Sequence, residues 1–311
     1  MESVGEVNKL VRTGWISRES LRGIDQKGLR RPICTCGKRL DVLYVDTPDE
    51  ACPFWSSVRR EWIERTNGDG IESYPKLQSD FEPQRRWPRL LYEKGRRSAS
   101  FQSYAGLTRA FFESVRAVSG KSVIVDCSKI SVRAFALSMV PGIDLYVVHL
   151  VRDGRGVIAS HIRSFREDPR AGVRRDHKDR PMFDVRSSRV VHLVSLLRWI
   201  VGNLLSEWVC IQLGPERTMR LRYEDFVADP KGALDNIGSL IELDLTEVAD
   251  AASSGKPMQA GHNVGGNKTK KSGVITLRPD AQEWRTVLSP TEQRLSWVLM
   301  GWLMRRYGYK R

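Results

Sequence analysis

The sequence is short of several things. It has five cysteines, an odd number, scattered as Cys34, Cys36, Cys52, Cys127 and Cys210. That count suits a reducing compartment rather than a disulfide framework. The start, MESVGEVNKL, lacks the basic-then-apolar pattern of a secretory signal. The longest apolar run, Val190 to Leu213, is interrupted by His192, Arg198 and Glu207. It is expected to be a buried helix and not a membrane span. A cytoplasmic protein with no transmembrane segment is therefore the expectation. Internal repeats and low-complexity tracts are absent. Acidic residues are outnumbered, 37 against 51 Lys and Arg, which leaves a net charge of +14. Such an excess calls for an anionic partner. No recognition helix or aromatic RNA-binding motif accompanies the charge, so nucleic acid is not the expected partner. Oligomeric state is not legible.

What is present reads as a globular α/β chain. Of the 311 residues, 41% are hydrophobic and 28% charged, within the range of folded domains. Ser122 to Val125 is a short β-branched run, Ile130 to Val140 has helical apolar spacing, and Ile143 to Val151 is apolar enough to be a strand covered on both faces. A helix from about Gly156 to Ser164 follows. Further on come a long helix over Val190 to Gln212, a strand at Thr218 to Arg222 and a helix near Lys231 to Ile241. Ser289-Pro290-Thr291-Glu292 is a capping box with proline at the first helical position. Leu295, Val298, Leu299, Trp302 and Leu303 are the expected buried stripe of that last helix. Strands alternating with helices imply a mainly parallel sheet. Two segments resist this pattern. Residues 163–189 carry eight arginines, and residues 255–273 are rich in glycine and lysine. Both are expected to be loops near a site at the carboxyl ends of the strands.

One stretch carries chemistry. In "VVHLVRDGRGVIASHIRS", Arg152 leaves the carboxyl end of an apolar strand, and Ser160 follows on the next helix. A guanidinium, a hydroxyl and the N–H groups of a helix start together make a phosphate grip. Cys34, Cys36 and Cys52 are three thiolates of the kind zinc accepts, yet no fourth ligand stands at a customary spacing. They are read as free thiols, and no metal is expected.

"LVRDGRGVIAS" resembles the 3′-phosphate-binding segment of bacterial-type sulfotransferases that use 3′-phosphoadenosine 5′-phosphosulfate (PAPS). Other segments are similar in the same order: "VGEVNKLVRTGW", "CTCG" with "CPFW", "VDCSK" (Val125 to Lys129), "LRYEDFVADPKGAL" (Leu221 to Leu234), "GHNVGGNKTKKSG", "EWR" and "YGY". The resemblance implies an α/β fold with a P-loop-NTPase-like parallel sheet flanked by helices, as a single domain over residues 1–311. It implies PAPS as co-substrate and Arg152 with Ser160 on its 3′-phosphate. Tyr223 would pack near the adenine. Asn267 and Lys270 fall on the family's G-N-x-x-R pattern, with lysine in place of arginine, which keeps the charge but loses a bidentate contact.

The family's P-loop-like turn, which wraps the 5′-phosphosulfate, has no counterpart in the sequence. The expectation is a sheet lacking its first, central strand, either through a truncated or misassigned start or in a degenerate relative. Sulfuryl transfer needs in-line positioning, charge stabilisation and a base. Glu6 is the candidate base, and Lys129, at a strand end, is the candidate cation for the transferred oxygens. The expected activity is transfer from PAPS to a hydroxyl or amine of unknown class. The alternative is a non-catalytic binder of nucleotide or polyanion.

Overall fold

The computed structural model describes residues 1–12, 34–40, 48–68, 70–167, 188–264, 274–275 and 284–311. In chain order the elements are β1 (Glu2–Gly5), α1 (Pro53–Arg65), α2 (Gly70–Phe81), α3 (Trp87–Arg96), α4 (Ala99–Ser119), β2 (Ile124–Asp126), α5 (Ser131–Ser138), β3 (Val147–Val151), α6 (Gly154–Glu167), α7 (Ser188–Leu213) and β4 (Thr218–Arg222). They continue with α8 (Tyr223–Ala228), α9 (Pro230–Ile241), α10 (Thr246–Ser253), β5 (Met258–Gln259), β6 (Val274–Ile275), α11 (Trp284–Val287) and α12 (Pro290–Arg306). They form two compact units, Met1–Leu145 with Pro257–Thr276, and Tyr146–Lys256 with Leu277–Arg311.

In the first unit β1 pairs parallel with β2, Glu2 opposite Ile124 and Gly5 opposite Asp126, with a register shift between Ser3 and Gly5. The pair ends against Val264. Glu6 N donates to the Val264 carbonyl at 2.7 Å, and Val264 N donates to the Val4 carbonyl at 3.1 Å. Gly5 makes this approach possible, with φ +70° and a hypothetical Cβ only 2.6 Å from the Val264 oxygen. The short strands rest on an aromatic core from α1, α2 and α4: Trp55, Trp62, Tyr74, Phe81, Phe101, Tyr104 and Phe111 are all buried. Within it Arg133 pairs with Glu82 and, at 3.0 Å, with Asp126. Burial pushes the Glu82 carboxyl up to about 7 against the pull of that guanidinium. β5 pairs antiparallel with β6.

In the second unit β3 and β4 run parallel and in register from Val147 opposite Thr218 to Val151 opposite Arg222. Ile158 and Ile162 of α6, Leu196 and Trp199 of α7, and Trp297, Met300, Leu303 and Met304 of α12 form one buried cluster beside Val151. The capping box is present as expected, Ser289 Oγ accepting from the Glu292 amide and the Glu292 carboxylate from the Ser289 amide.

Two burial expectations are corrected. Of the expected stripe on α12 only Leu303 is buried, while Leu295, Val298, Leu299 and Trp302 face solvent. The helix carries apolar residues on both sides, and the side with the longer and broader groups, Trp297, Met300 and Met304, fills the core. Helix α7 is not buried all round. His192, Ser195, Leu196, Trp199 and Val209 are buried, whereas Leu193, Leu197, Val201 and Ile211 are exposed. By length and composition Val190–Leu213 is apolar enough to cross a membrane, and its inner face is committed to the unit's own core. Among the described residues β2 pairs with β1 alone and β3 with β4 alone.

Gly5→Ala should destabilise the chain by about 2 kcal/mol or more, because left-handed backbone and a blocked approach to Val264 both oppose a methyl group. Urea midpoints of the two proteins check this; equal midpoints would mean that the β1 terminus relaxes freely.

Candidate functional site

The second unit brings a guanidinium and a phenol ring together at the ends of β3 and β4. β3 delivers Arg152 and β4 delivers Tyr223 in adjacent positions of the register, one residue beyond the Val151–Arg222 pair. The Arg152 guanidinium lies 4.7 Å from the Tyr223 ring centroid, which fixes its plane without consuming its donors. Its Nε is buried and has no hydrogen-bond partner. The side chain crosses α6 at Gly156, where a Cβ would stand 3.3 Å from that Nε. Ser160 is one helical turn farther along the same face and exposed. Its Cα–Cβ bond tilts back toward the Gly156 turn. Guanidinium, glycine and hydroxyl therefore share one side of α6.

Asp153 Oδ1 accepts from the Arg155 amide at 2.8 Å, and the Asp153 carbonyl from the Val157 amide at 3.1 Å. The Arg155 amide is thereby capped, while the Val157 bond is the ordinary first rung of the helix. Asp153 does not pair with Arg152. It holds Arg155 through Nε at 3.0 Å and Nη2 at 2.7 Å. Arg155 also donates to the Lys310 carbonyl at 3.0 Å and stacks 3.9 Å over the Trp284 ring. The two arginines of "RDGR" have opposite jobs, one built into the core and one turned out.

Glu224 latches this corner, and sequence reasoning did not single it out. Its Oε1 accepts from the Asp153 amide at 3.0 Å, and its Oε2 lies 2.6 Å from the Tyr309 hydroxyl. Burial, with Glu224 beside it, raises Tyr309 far above an ordinary phenol, so it serves as a donor at all ordinary pH. The "YED" and "YGY" segments are thereby tied to the end of β3.

The first unit brings the other two candidates together. The loop after β2 turns at Asp126, whose Oδ1 accepts from the Ser128 amide at 2.9 Å. Lys129 follows in left-handed conformation, φ +56°. Its Nζ lies 3.1 Å from Glu6 Oε1, the lysine largely exposed and the glutamate side chain only 9% so. Glu6 is thus a sheltered carboxylate with its charge compensated at the solvent side. Asn267 and Lys270 lie outside the described residues, as do residues 168–187 of the arginine-rich segment.

The family model for the "Sulfotransferase family" matches residues 58–247. The chain belongs to the sulfotransferase family. Lys129, Arg152, Ser160 and Tyr223 fall inside the matched region and Glu6 precedes it. Among solved structures the chain is similar to the sulfotransferase domain from the curacin biosynthetic pathway, 16% identical over 96% of this chain and 95% of that one, with TM-score 0.43. It is similar also to the sulfotransferase domain from the Synechococcus PCC 7002 olefin synthase, 18% identical over 99% and 95%, with TM-score 0.42. No curated protein matches it.

The contrast between the two arginines is open to measurement in this sulfotransferase-family chain. Arg155→Lys should cost about 3 kcal/mol, because it strands a buried Asp153 and cannot reproduce the fork or the stacking. Arg152→Ala should change stability by less than about 1 kcal/mol, the worth of one cation–π contact. Thermal unfolding of both variants decides; the reverse ranking would exchange their roles.

Proposed function

We propose that this chain transfers a sulfuryl group from PAPS to a hydroxyl or amine acceptor, with Arg152 and Ser160 gripping the donor's 3′-phosphate. The observation that carries the reading is Arg152 itself. Its guanidinium is oriented by Tyr223, and its Nε is buried without a partner. A buried donor left unsatisfied costs about 1–3 kcal/mol, and an anion on this face of α6 would remove that cost. Membership of the sulfotransferase family supplies the reaction class.

In this reading Tyr223 holds the guanidinium flat for a bidentate approach to phosphate. Glu6 accepts the acceptor's proton. Lys129, 3.1 Å away, keeps that carboxylate oriented and offers its ammonium to charge developing on the transferred oxygens. Asn267 and Lys270 are proposed to add donors to the bound nucleotide. The 5′-phosphosulfate needs a cradle of backbone N–H groups. In the P-loop-like reading it comes with a further parallel strand.

Calorimetry with 3′,5′-bisphosphoadenosine and with adenosine 5′-phosphate tests the grip. Arg152→Ala should weaken the bisphosphate by about 2–3 kcal/mol and Ser160→Ala by about 1 kcal/mol. Neither should alter binding of the monophosphate, and equal losses for both ligands would remove Arg152 from this role.

Transfer of labelled sulfuryl group from PAPS, measured across saccharide, lipid, peptide and small-alcohol acceptors, tests the chemistry. Glu6→Gln should lower turnover on the order of a hundredfold while sparing donor affinity. Bisphosphate binding without any transfer would favour the non-catalytic alternative.

A further inference from the structure

The three cysteines that the sequence left without a fourth partner acquire one in the fold. Cys34, Cys36, Cys52 and His262 put one ligand atom each within 4.8 Å of all the others. Cys36 Sγ lies 3.6 Å from Cys52 Sγ. His262 Nδ1 lies 3.4 Å from Cys52 Sγ and 3.8 Å from Cys34 Sγ. A tetrahedral zinc with Zn–S of about 2.3 Å and Zn–N of about 2.0–2.1 Å has ligand-to-ligand edges of roughly 3.6–3.8 Å. The three distances, 3.4, 3.6 and 3.8 Å, fall within about 0.2 Å of the edges of such a tetrahedron.

The surroundings are built for the same geometry. Cys34 and Cys36 lie on a tight turn closed by Gly37 N donating to the Cys34 carbonyl at 2.9 Å, with Gly37 at φ +84°. Cys52 is the N-cap of α1, at the positive end of that helix. The His262 ring is stacked on Phe54, 4.9 Å between centroids and 8° between planes. Its backbone carbonyl accepts from Trp55 Nε1 at 2.7 Å. Imidazole orientation is thus set independently of the sulfurs, as supported metal ligands require.

We infer that Cys34, Cys36, Cys52 and His262 form a structural zinc site, closed by four protein ligands. Three thiolates and an imidazole in a four-coordinate arrangement are the donor set zinc prefers, and a filled shell leaves no position for substrate. Binding displaces the thiol protons to solvent. The metal joins three segments distant in sequence: the Cys34–Gly37 turn, the start of α1 and the strand-like stretch around His262. Two residues after His262, Val264 accepts from the Glu6 amide. The zinc therefore anchors the backbone that positions Glu6 and the first residues of the segment containing Asn267 and Lys270.

The full chain, produced in zinc-replete medium and freed of loose metal by gel filtration, tests this by metal analysis. One zinc per chain is expected. Modification of the thiols should release it, and cobalt exchanged into the site should show the visible bands of tetrahedral thiolate coordination. Cys36→Ser and His262→Ala should weaken metal binding by more than the 10–100-fold typical of losing an outer partner. Cys210→Ser should retain it fully. Should His262→Ala fail to fold, His262→Cys keeps four ligands and should hold cobalt with an all-thiolate spectrum. A folded chain that takes up neither zinc nor cobalt, a chain carrying iron, or a Cys36–Cys52 disulfide found by mass would each overturn the assignment. None of these outcomes depends on sulfuryl transfer.

Discussion

The in-register parallel ladder of β3 and β4 is the constraint on which the pairing of Arg152 with Tyr223 depends. Five paired residues end together at Val151 and Arg222, so the next residue of each strand, Arg152 and Tyr223, must emerge side by side. A slip of one residue would turn each side chain to the opposite face and separate guanidinium from ring. The Glu224 latch guards against that slip. It joins the first residue after Arg152 to Tyr309, the last tyrosine in the sequence. Three segments far apart in sequence are therefore locked at one strand end, and Arg152 is the charged group left facing outward.

That outward arginine is stable only because its neighbour absorbs what would otherwise compete for it. Asp153, adjacent in sequence, is the obvious partner, yet it caps α6 and grips Arg155 through two nitrogens. Arg155 in turn is packed against Trp284 and Trp297. A buried charge pair of this kind contributes little net stability, but it is costly to break. Its effect here is to use up the local carboxylate, so Arg152 keeps its donors. The same logic holds after β2, where Asp126 is taken by Ser128 and Arg133. Lys129 is thereby left to Glu6.

How much of this was legible in the sequence depends on how local each signal is. The β4 strand and the Ser289 capping box depend on a few adjacent residues and appear where the pattern put them. Gly156 and Ser160 share a face because four-residue spacing on a helix demands it, and Arg152, two residues before that helix, lays its guanidinium against Gly156. The α12 stripe was misassigned because both sides of that helix are apolar, and only tertiary contact selects Trp297 and Met300 over Val298 and Trp302. Helices α1, α2 and α4 carry the unit's aromatic core, yet they mix charged and apolar residues without a pattern that was singled out. Glu224 and His262 were missed for another reason. Their roles exist only across 71 residues to Asp153 and 210 residues to Cys52, and no spacing rule reaches that far.

The first unit shows why so distant a contact matters. β1 and β2 share only three paired positions, and a two-stranded pair of that length is marginal by itself. Its far end carries Glu6, whose position depends on the backbone pairing of Glu6 and Val4 with Val264. Val264 in turn is held by what precedes it. Asn263 N donates to Thr35 Oγ1 at 2.8 Å, and His262 reaches Cys34 and Cys52. The chain of dependence thus runs from the cysteine turn through His262 to Val264 and Glu6. Hydrogen bonds alone would transmit the position of the turn loosely, since each contributes only about 1 kcal/mol net. A four-coordinate metal would transmit it rigidly, which is why the carboxylate proposed as base sits at the end of a strand that the cysteine cluster, more than the sheet, holds in place.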